Sequence, residues 1–331
     1  MTSLALRTAS RSSSRRAVAL ASVLAIAALA AIPFTTLLAQ TSSGPFTVVE
    51  TGQSYPRLQL AVDAIGDGQG TIAIAPGNHR QCAVQSMGQI AYMAQVPGEA
   101  VFDAVTCEGK AALVLRGRGA EVSGLVFQNM NVRDFNGAGI RLEAGNLTVA
   151  QSWFRDSQQG ILTAGDENAQ LVIDRSTFTR LGTCEGSGGC AHSIYTGTLG
   201  QVRITNSRFE QGRGGHYVKV RSPRVDIASC SFDDANGVTT NYMIDLPAGA
   251  SGQISNNWFV QGQSKENYSA FIAVAAESRD FSSANLLVAG NHARFAPGVD
   301  RNSVFVADWS GEVRQIEDNR LAANLAEYEL R

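Results

Sequence analysis

Proline is scarce, with 8 residues in 331, and so are histidine (4), cysteine (5) and tryptophan (3). Sustained apolar spacing of 3.6 residues is absent, apart from two short stretches near the ends of the exported portion. This excludes a helical bundle and the helical solenoids. No Cys-x-x-Cys or His-Cys cluster is present, so no zinc site is expected. There is no excess of basic residues: 27 Lys+Arg stand against 29 Asp+Glu, a formal charge of −2. Nucleic-acid binding through a net positive field is therefore excluded. What the chain has in quantity is glycine, 33 residues, with frequent Val, Ile, Thr and Phe. That balance predicts many short strands and tight turns.

The first forty residues lack acids altogether; none appears before Glu50. Arg7, Arg11, Arg15 and Arg16 precede an uncharged run from Ala17 to Ala39. A basic region followed by an apolar one is the pattern of an export signal, here residues 1–39, with Leu37-Leu38-Ala39-Gln40 as the cleavage site. The run is also long enough to act as an uncleaved signal anchor. Without its four arginines the formal charge moves from −2 to −6. Residues 40–331 are expected to form one domain in the periplasm or outside the cell. No membrane contact is expected beyond the N-terminal segment. Export permits disulfides. Cys184 and Cys190 flank a Gly-rich segment and are expected to pair. Cys82 and Cys107 lie 25 residues apart, about one repeat, and can bridge by stacking, leaving Cys230 as a buried free thiol.

A phrase recurs six times: a polar or small residue, then Phe, then a polar turn. Its phenylalanines are Phe127, Phe154, Phe178, Phe209, Phe232 and Phe259, at spacings of 27, 24, 31, 23 and 27. An alternating strand precedes most of them, as in Leu147-Thr148-Val149 and Val202-Arg203-Ile204. A second short strand follows. Each unit is too small to bury its own apolar face, and stacking the units buries a continuous core. A wandering period suits a parallel β-helix, in which extra residues bulge from one turn without disturbing the strands. The fold class expected is all-β, a right-handed parallel β-helix from about residue 70 to 315. Phe and Trp at the repeat positions are expected in the core.

Leu58, Ala61, Val62 and Ile65 lie at helical spacing within 55–65 and predict an N-terminal cap helix. Leu321, Leu325 and Tyr328 repeat at +4 and +3 and predict a C-terminal lid. Between Cys82 and Gly98 the pattern is poor, and irregular early coils are expected. The run Leu58-Gln59-Leu60-Ala61-Val62-Asp63-Ala64, then Gly70-Thr71-Ile72-Ala73-Ile74-Ala75-Pro76-Gly77, resembles the opening of pectin-lyase-like β-helix proteins. The resemblance covers roughly residues 45 to 320 and implies the fold. The superfamily hosts lyases, hydrolases, epimerases and non-enzymes, so it does not imply one activity. The phrase Gly215-His216-Tyr217-Val218-Lys219-Val220-Arg221 resembles one in exported bacterial β-helix proteins.

Stacking makes equivalent positions of successive coils neighbours, about 4.8 Å apart. Aligning Ile194, Val218 and Ile244 as one inward ladder places Tyr195, Lys219 and Asp245 in an outward one. Arg221 shares the parity of Lys219. His192 and His216 sit two positions before the inward residues. Strict alternation turns them inward, whereas a bend at the preceding glycines brings them to the surface, with His216 at the rim. A Tyr, Lys, Arg and His cluster suits acidic-sugar chemistry. Taking the proton α to a uronate carboxylate needs a cation on the carboxylate, a base, and an acid at the glycosidic oxygen. Candidate catalytic residues are Tyr195, His216, Lys219 and Arg221, with His192 and Asp245 as candidate substrate contacts. The bland alternative is a solvated charge ladder.

The chain lacks the Asp-Pro-His-Asp phrase of mannuronan epimerases. It also lacks the order of acids and histidine in polygalacturonases, since Asp233-Asp234 follows His216. No cofactor is expected; Asp233, Asp234 and Asp245 could attract Ca²⁺. The expectation is an exported β-helix acting on an acidic polysaccharide, as a uronate lyase or C5 epimerase. The alternative is a non-catalytic glycan- or protein-binding or structural β-helix of the envelope.

Overall fold

A computed structural model describes residues 44–186 and 188–331. The expected export segment, 1–39, lies outside the described residues. Those described form a right-handed parallel β-helix. Three strands per coil stack into sheets of 12, 10 and 10 strands, in which neighbouring strands come from successive coils except at the N-terminal edge of the first sheet, where two strands add antiparallel. No helix among the described residues is long and apolar enough to cross a membrane.

Each repeat follows one route. An alternating strand of the first sheet, such as Asn146–Ala150, buries Leu147 and Val149. The chain then turns a corner through one residue with positive φ: Gln151, Arg175 and Asn206 have φ of 48°, 47° and 50°. The next residue is a buried polar one. The Ser152 and Ser176 amides donate to the hydroxyls of Ser176 and Ser207, and the Cys230 and Asn257 amides to the side chains of Asn257 and Asn291. Cys230 takes a place in this polar row, and burial pushes its thiol up to about 12.

The Phe of the recurring phrase follows, on the second sheet. Phe127, Phe154, Phe178, Phe209, Phe232 and Phe259 lie in one parallel register. All are 1% exposed or less, and successive rings stack at 4.8 to 5.0 Å. Phe102 extends the row by one coil. A second left-handed residue, such as Asp156 or Arg180, makes the polar turn after the Phe and leads into the third sheet.

Several expectations need correction. Trp153 and Trp258 are not core: they are 37% and 54% exposed. Each directly precedes a buried Phe, and the two-residue period of a strand turns it to the opposite face. Segment 82–98 is regular, holding strands Ala83–Gln85 and Gln89–Ala94. The C-terminal residues form strands Arg320–Leu321 and Leu325–Leu330, not a helical lid. The exposed edge of Ser303–Asp308 offers unpaired backbone groups, and the last strand pairs with it in parallel. The cap helix is present as Leu58–Ile65, with Leu58, Ala61 and Val62 buried. Before it, Phe46–Val48 and Gln53–Tyr55 pair as an antiparallel hairpin that the sequence patterning did not announce.

Candidate functional site

Strands Ile194–Thr196, Val218–Val220 and Ile244–Leu246 lie side by side in the third sheet. Ile194, Val218 and Ile244 are in register and fully buried. On the other face Tyr195 stands beside Lys219, and Lys219 beside Asp245. Arg221 Nε donates to the Tyr195 phenol oxygen at 3.0 Å. The Lys219 ammonium lies 5.9 Å from the Tyr195 ring centre. It is 2.9 Å from Asp245 Oδ2.

The patch is more enclosed than an outward row suggests. Lys219 and Asp245 are 8% and 3% exposed. The group that completes it, Glu277, was invisible to the repeat alignment. It lies in the turn after strand Ala270–Val274, where the coils have no common length. Its only signal was an acid shortly past the next coil's strand. Glu277 Oε1 accepts from Lys219 at 2.6 Å and Oε2 from Arg221.

His192 and His216 are nearly buried yet line the same outer depression as Tyr195, Lys219 and Arg221. Gly215, with φ of +61°, makes the bend; a Cβ there would meet the Ala191 carbonyl and His192 Nδ1. The bend lets the His216 amide donate to His192 Nδ1 at 3.0 Å. His216 is layered between His192 and Tyr242, at 4.9 and 5.6 Å between ring centres. Its Nε2 lies 3.4 Å from Asp245 Oδ2. Both histidines are under a tenth exposed.

Burial and neighbours set the charges. Burial, reinforced by Lys219, pushes His216 down to about 3, and burial takes His192 well below its ordinary value. Both imidazoles are neutral near pH 7. Burial opposes the charge on Lys219, but Asp245 and Glu277 outweigh it and hold the ammonium above its usual range. Burial raises the Asp245 carboxyl despite Lys219. At Glu277 burial is outweighed by Lys219 and Arg221, and the carboxyl is held low.

The disulfide Cys184–Cys190 closes the loop inserted in the longest repeat, with Cα atoms 4.1 Å apart. Gly188, Gly189 and Cys190 wall a depression of about 310 Å³ whose floor holds Tyr195, Lys219 and Arg221. Asn241 and Glu266 also line it and are hydrogen-bonded at 2.9 Å, with Glu266 Oε2 3.8 Å from Cys190 Sγ. Behind Asn241 a second buried pair anchors the turn. Asp234 accepts from Tyr217, Thr240 and the Gly262 amide and lies 3.2 Å from Lys265. A further depression of about 430 Å³, floored by Arg141 and Leu162, shares Tyr195 as a wall.

Cys82 and Cys107 are also bridged. Two disulfides fit an oxidising compartment. The acids considered for Ca²⁺ do not converge: Asp234 and Asp245 each face a lysine, and Asp233 lies on the second sheet. Among the described residues, one group has metal-ligand spacing: Cys184, Cys190 and Glu266. Its two sulfurs are joined to each other.

No family model matches the chain, and no curated protein matches it. Among solved structures it is similar to ORF18 of Geobacillus virus E2, with a TM-score of 0.51 and 14% identity. The match covers 82% of this chain and 55% of that one, so the chain spans about half of that protein's length. It is also similar to the pectin methylesterase of Aspergillus niger, with a TM-score of 0.39 and 10% identity over 83% of this chain and 91% of that one. Likeness at such identity speaks to the fold. The second is too loose to bear on anything further.

Proposed function

We propose that the protein is exported to the periplasm or beyond and acts on a uronate-bearing polysaccharide through the lateral depression, as a lyase or C5 epimerase. One observation carries the reading. Tyr195, His216, Lys219, Arg221, Asp245 and Glu277, drawn from four successive coils, form one connected polar set in which His216, Lys219 and Asp245 are buried. Desolvating that many ionisable groups opposes folding, and such clusters concentrate at functional sites.

The roles follow from the charges. Lys219 and Arg221 pair with the substrate carboxylate. Lys219 is not the base, because its partners hold its proton. His216 is neutral and takes the C5 proton. Asp245 then faces the imidazolium. The Tyr195 phenol gives its proton to the glycosidic oxygen as the C4–O bond breaks, leaving an unsaturated uronide. Arg221 stabilises the phenol oxygen as charge develops there. In epimerisation Tyr195 instead protonates C5 from the opposite face, and no bond to oxygen breaks. In either case a proton passing from His216 to Tyr195 through water restores the site.

A second reading rests on a different fact: each cation of the set already has a carboxylate partner, which suits a binding module. Incubation with a panel of uronate polymers separates the two. Ultraviolet absorbance of an unsaturated product, or inversion seen by NMR, supports the enzyme. Binding that Arg221→Ala abolishes, with no chemical change in any polymer, supports the module.

A further inference from the structure

We infer that Glu277 occupies the place of the substrate's carboxylate and that acidic ligands bind by exchanging with it. The inference rests on the uronate reading only for the identity of the ligand. The Glu277 and Ser278 amides both donate to the Pro247 carbonyl at 2.9 Å, which fixes the turn. From there the side chain reaches back to the strand of Lys219 and Arg221 and gives one oxygen to each cation. A ligand carboxylate would make the same two-pronged contact.

The two acids that flank Lys219 differ in accessibility. The Asp245 side chain is 4% exposed and sits in the adjoining strand as a permanent partner. The Glu277 side chain is 45% exposed and lies on the solvent side of both cations, where a ligand arrives. Exposed ion pairs are held weakly, whereas an unpaired buried charge is strongly unfavourable. Exchange of one carboxylate for another satisfies both conditions, since the cations remain paired before, during and after binding. It also makes the site selective. A neutral sugar brings nothing that can replace Glu277.

The test uses the exported chain with both disulfides formed, as wild type, Glu277→Gln and Glu277→Ala. Galacturonate, acetate and galactose are the probes, followed by calorimetry, with circular dichroism as the check on folding. Glu277→Gln should bind galacturonate and acetate about tenfold more tightly, the factor expected when Glu277 fills the subsite roughly nine-tenths of the time. Galactose should bind neither protein. Equal or weaker anion binding by the folded Gln variant overturns the exchange, as does the absence of anion binding to every variant. Glu277→Ala repeats the test should the amide re-form the hydrogen bonds. Tighter acetate binding with no uronate polymer altered would leave the exchange standing and remove the uronate chemistry. Turnover of a uronate polymer with unchanged affinity in both variants would do the reverse.

Discussion

The row of phenylalanines inside the solenoid and the row Tyr195, Lys219, Asp245 outside it arise from the same operation, parallel stacking of coils in register. Inside, the operation repeats one residue type. Outside, it sets a phenol, an ammonium and a carboxylate beside one another. The difference lies in what each side demands. An inward position on every coil meets the same apolar neighbours, so the same answer recurs. An outward position meets solvent or substrate and is free to differ from coil to coil. Repetition therefore marks what holds the solenoid together, and departures from it mark where chemistry can be placed.

The sharpest contrast is in stability. Truncating Phe209 to Ala should destabilise by about 3–5 kcal/mol, through lost burial and a cavity between the rings of Phe178 and Phe232. Denaturant unfolding measures it. Losses under about 1 kcal/mol at two of Phe154, Phe178, Phe209 and Phe232 would show that the row is not what holds the coils together.

Asp245 blurs the contrast, because it faces outward yet is buried. Asp245→Ala leaves Lys219 with Glu277 alone and should cost about 3 kcal/mol. Replacing both members, Lys219→Met with Asp245→Leu, should recover most of that loss, since apolar groups of similar volume replace buried ion pairs at little net cost. A double variant as unstable as the single one would mean that the outward row contributes more than the pairing of its charges.

Acid provides a third separation, because the Phe row does not titrate. His216, pushed from 6.5 to about 3 by burial, takes up a proton more readily in the unfolded chain between those values. Its contribution is fully present above pH 6.5 and is lost as pH falls. At pH 5 the loss is roughly 2 kcal/mol, and His192 adds a loss of the same sign. Asp245, whose carboxyl is raised, works in the opposite direction and softens the fall. Glu277, held low, adds to it below its ordinary value of 4.5. Unfolding midpoints should therefore begin to drop near pH 6.5. In His216→Gln with His192→Gln the onset should move down into the carboxylate range. An unchanged onset would mean that the histidines are not desolvated as the stacking with Tyr242 indicates.

The same division explains what could be foreseen from the chain. The coil register was legible because Phe recurs, and aligning Ile194, Val218 and Ile244 carried Tyr195, Lys219 and Asp245 with it. Trp153 and Trp258 were misplaced because the phrase was taken whole, although its two aromatic positions differ in parity. Glu277 was missed because turns vary in length and carry no register. The bend at Gly215 was visible as a glycine, but its direction depends on Ala191 and His192 in the preceding coil. The C-terminal strand was hidden because its apolar residues fit a helix as well. The open sheet edge that recruits it is a tertiary fact.

Arg221 should show the smallest effect on stability and the largest on function. Its side chain is 30% exposed, and its pairing with Glu277 lies at the rim. Arg221→Ala should therefore change unfolding free energy by less than about 1 kcal/mol. In the proposed uronate chemistry, turnover should nevertheless fall to near background, because an uncompensated carboxylate makes the α-proton far harder to remove and Tyr195 loses the donor on its oxygen. Arg221→Lys should restore little. A single ammonium cannot donate to Tyr195 through one nitrogen while pairing with a carboxylate through another in the fixed planar geometry of the guanidinium. Loss of stability comparable to that of Phe209→Ala would assign Arg221 to the framework. Retained turnover in a stable Arg221→Ala protein would remove it from the chemistry and leave the outward row a charged surface.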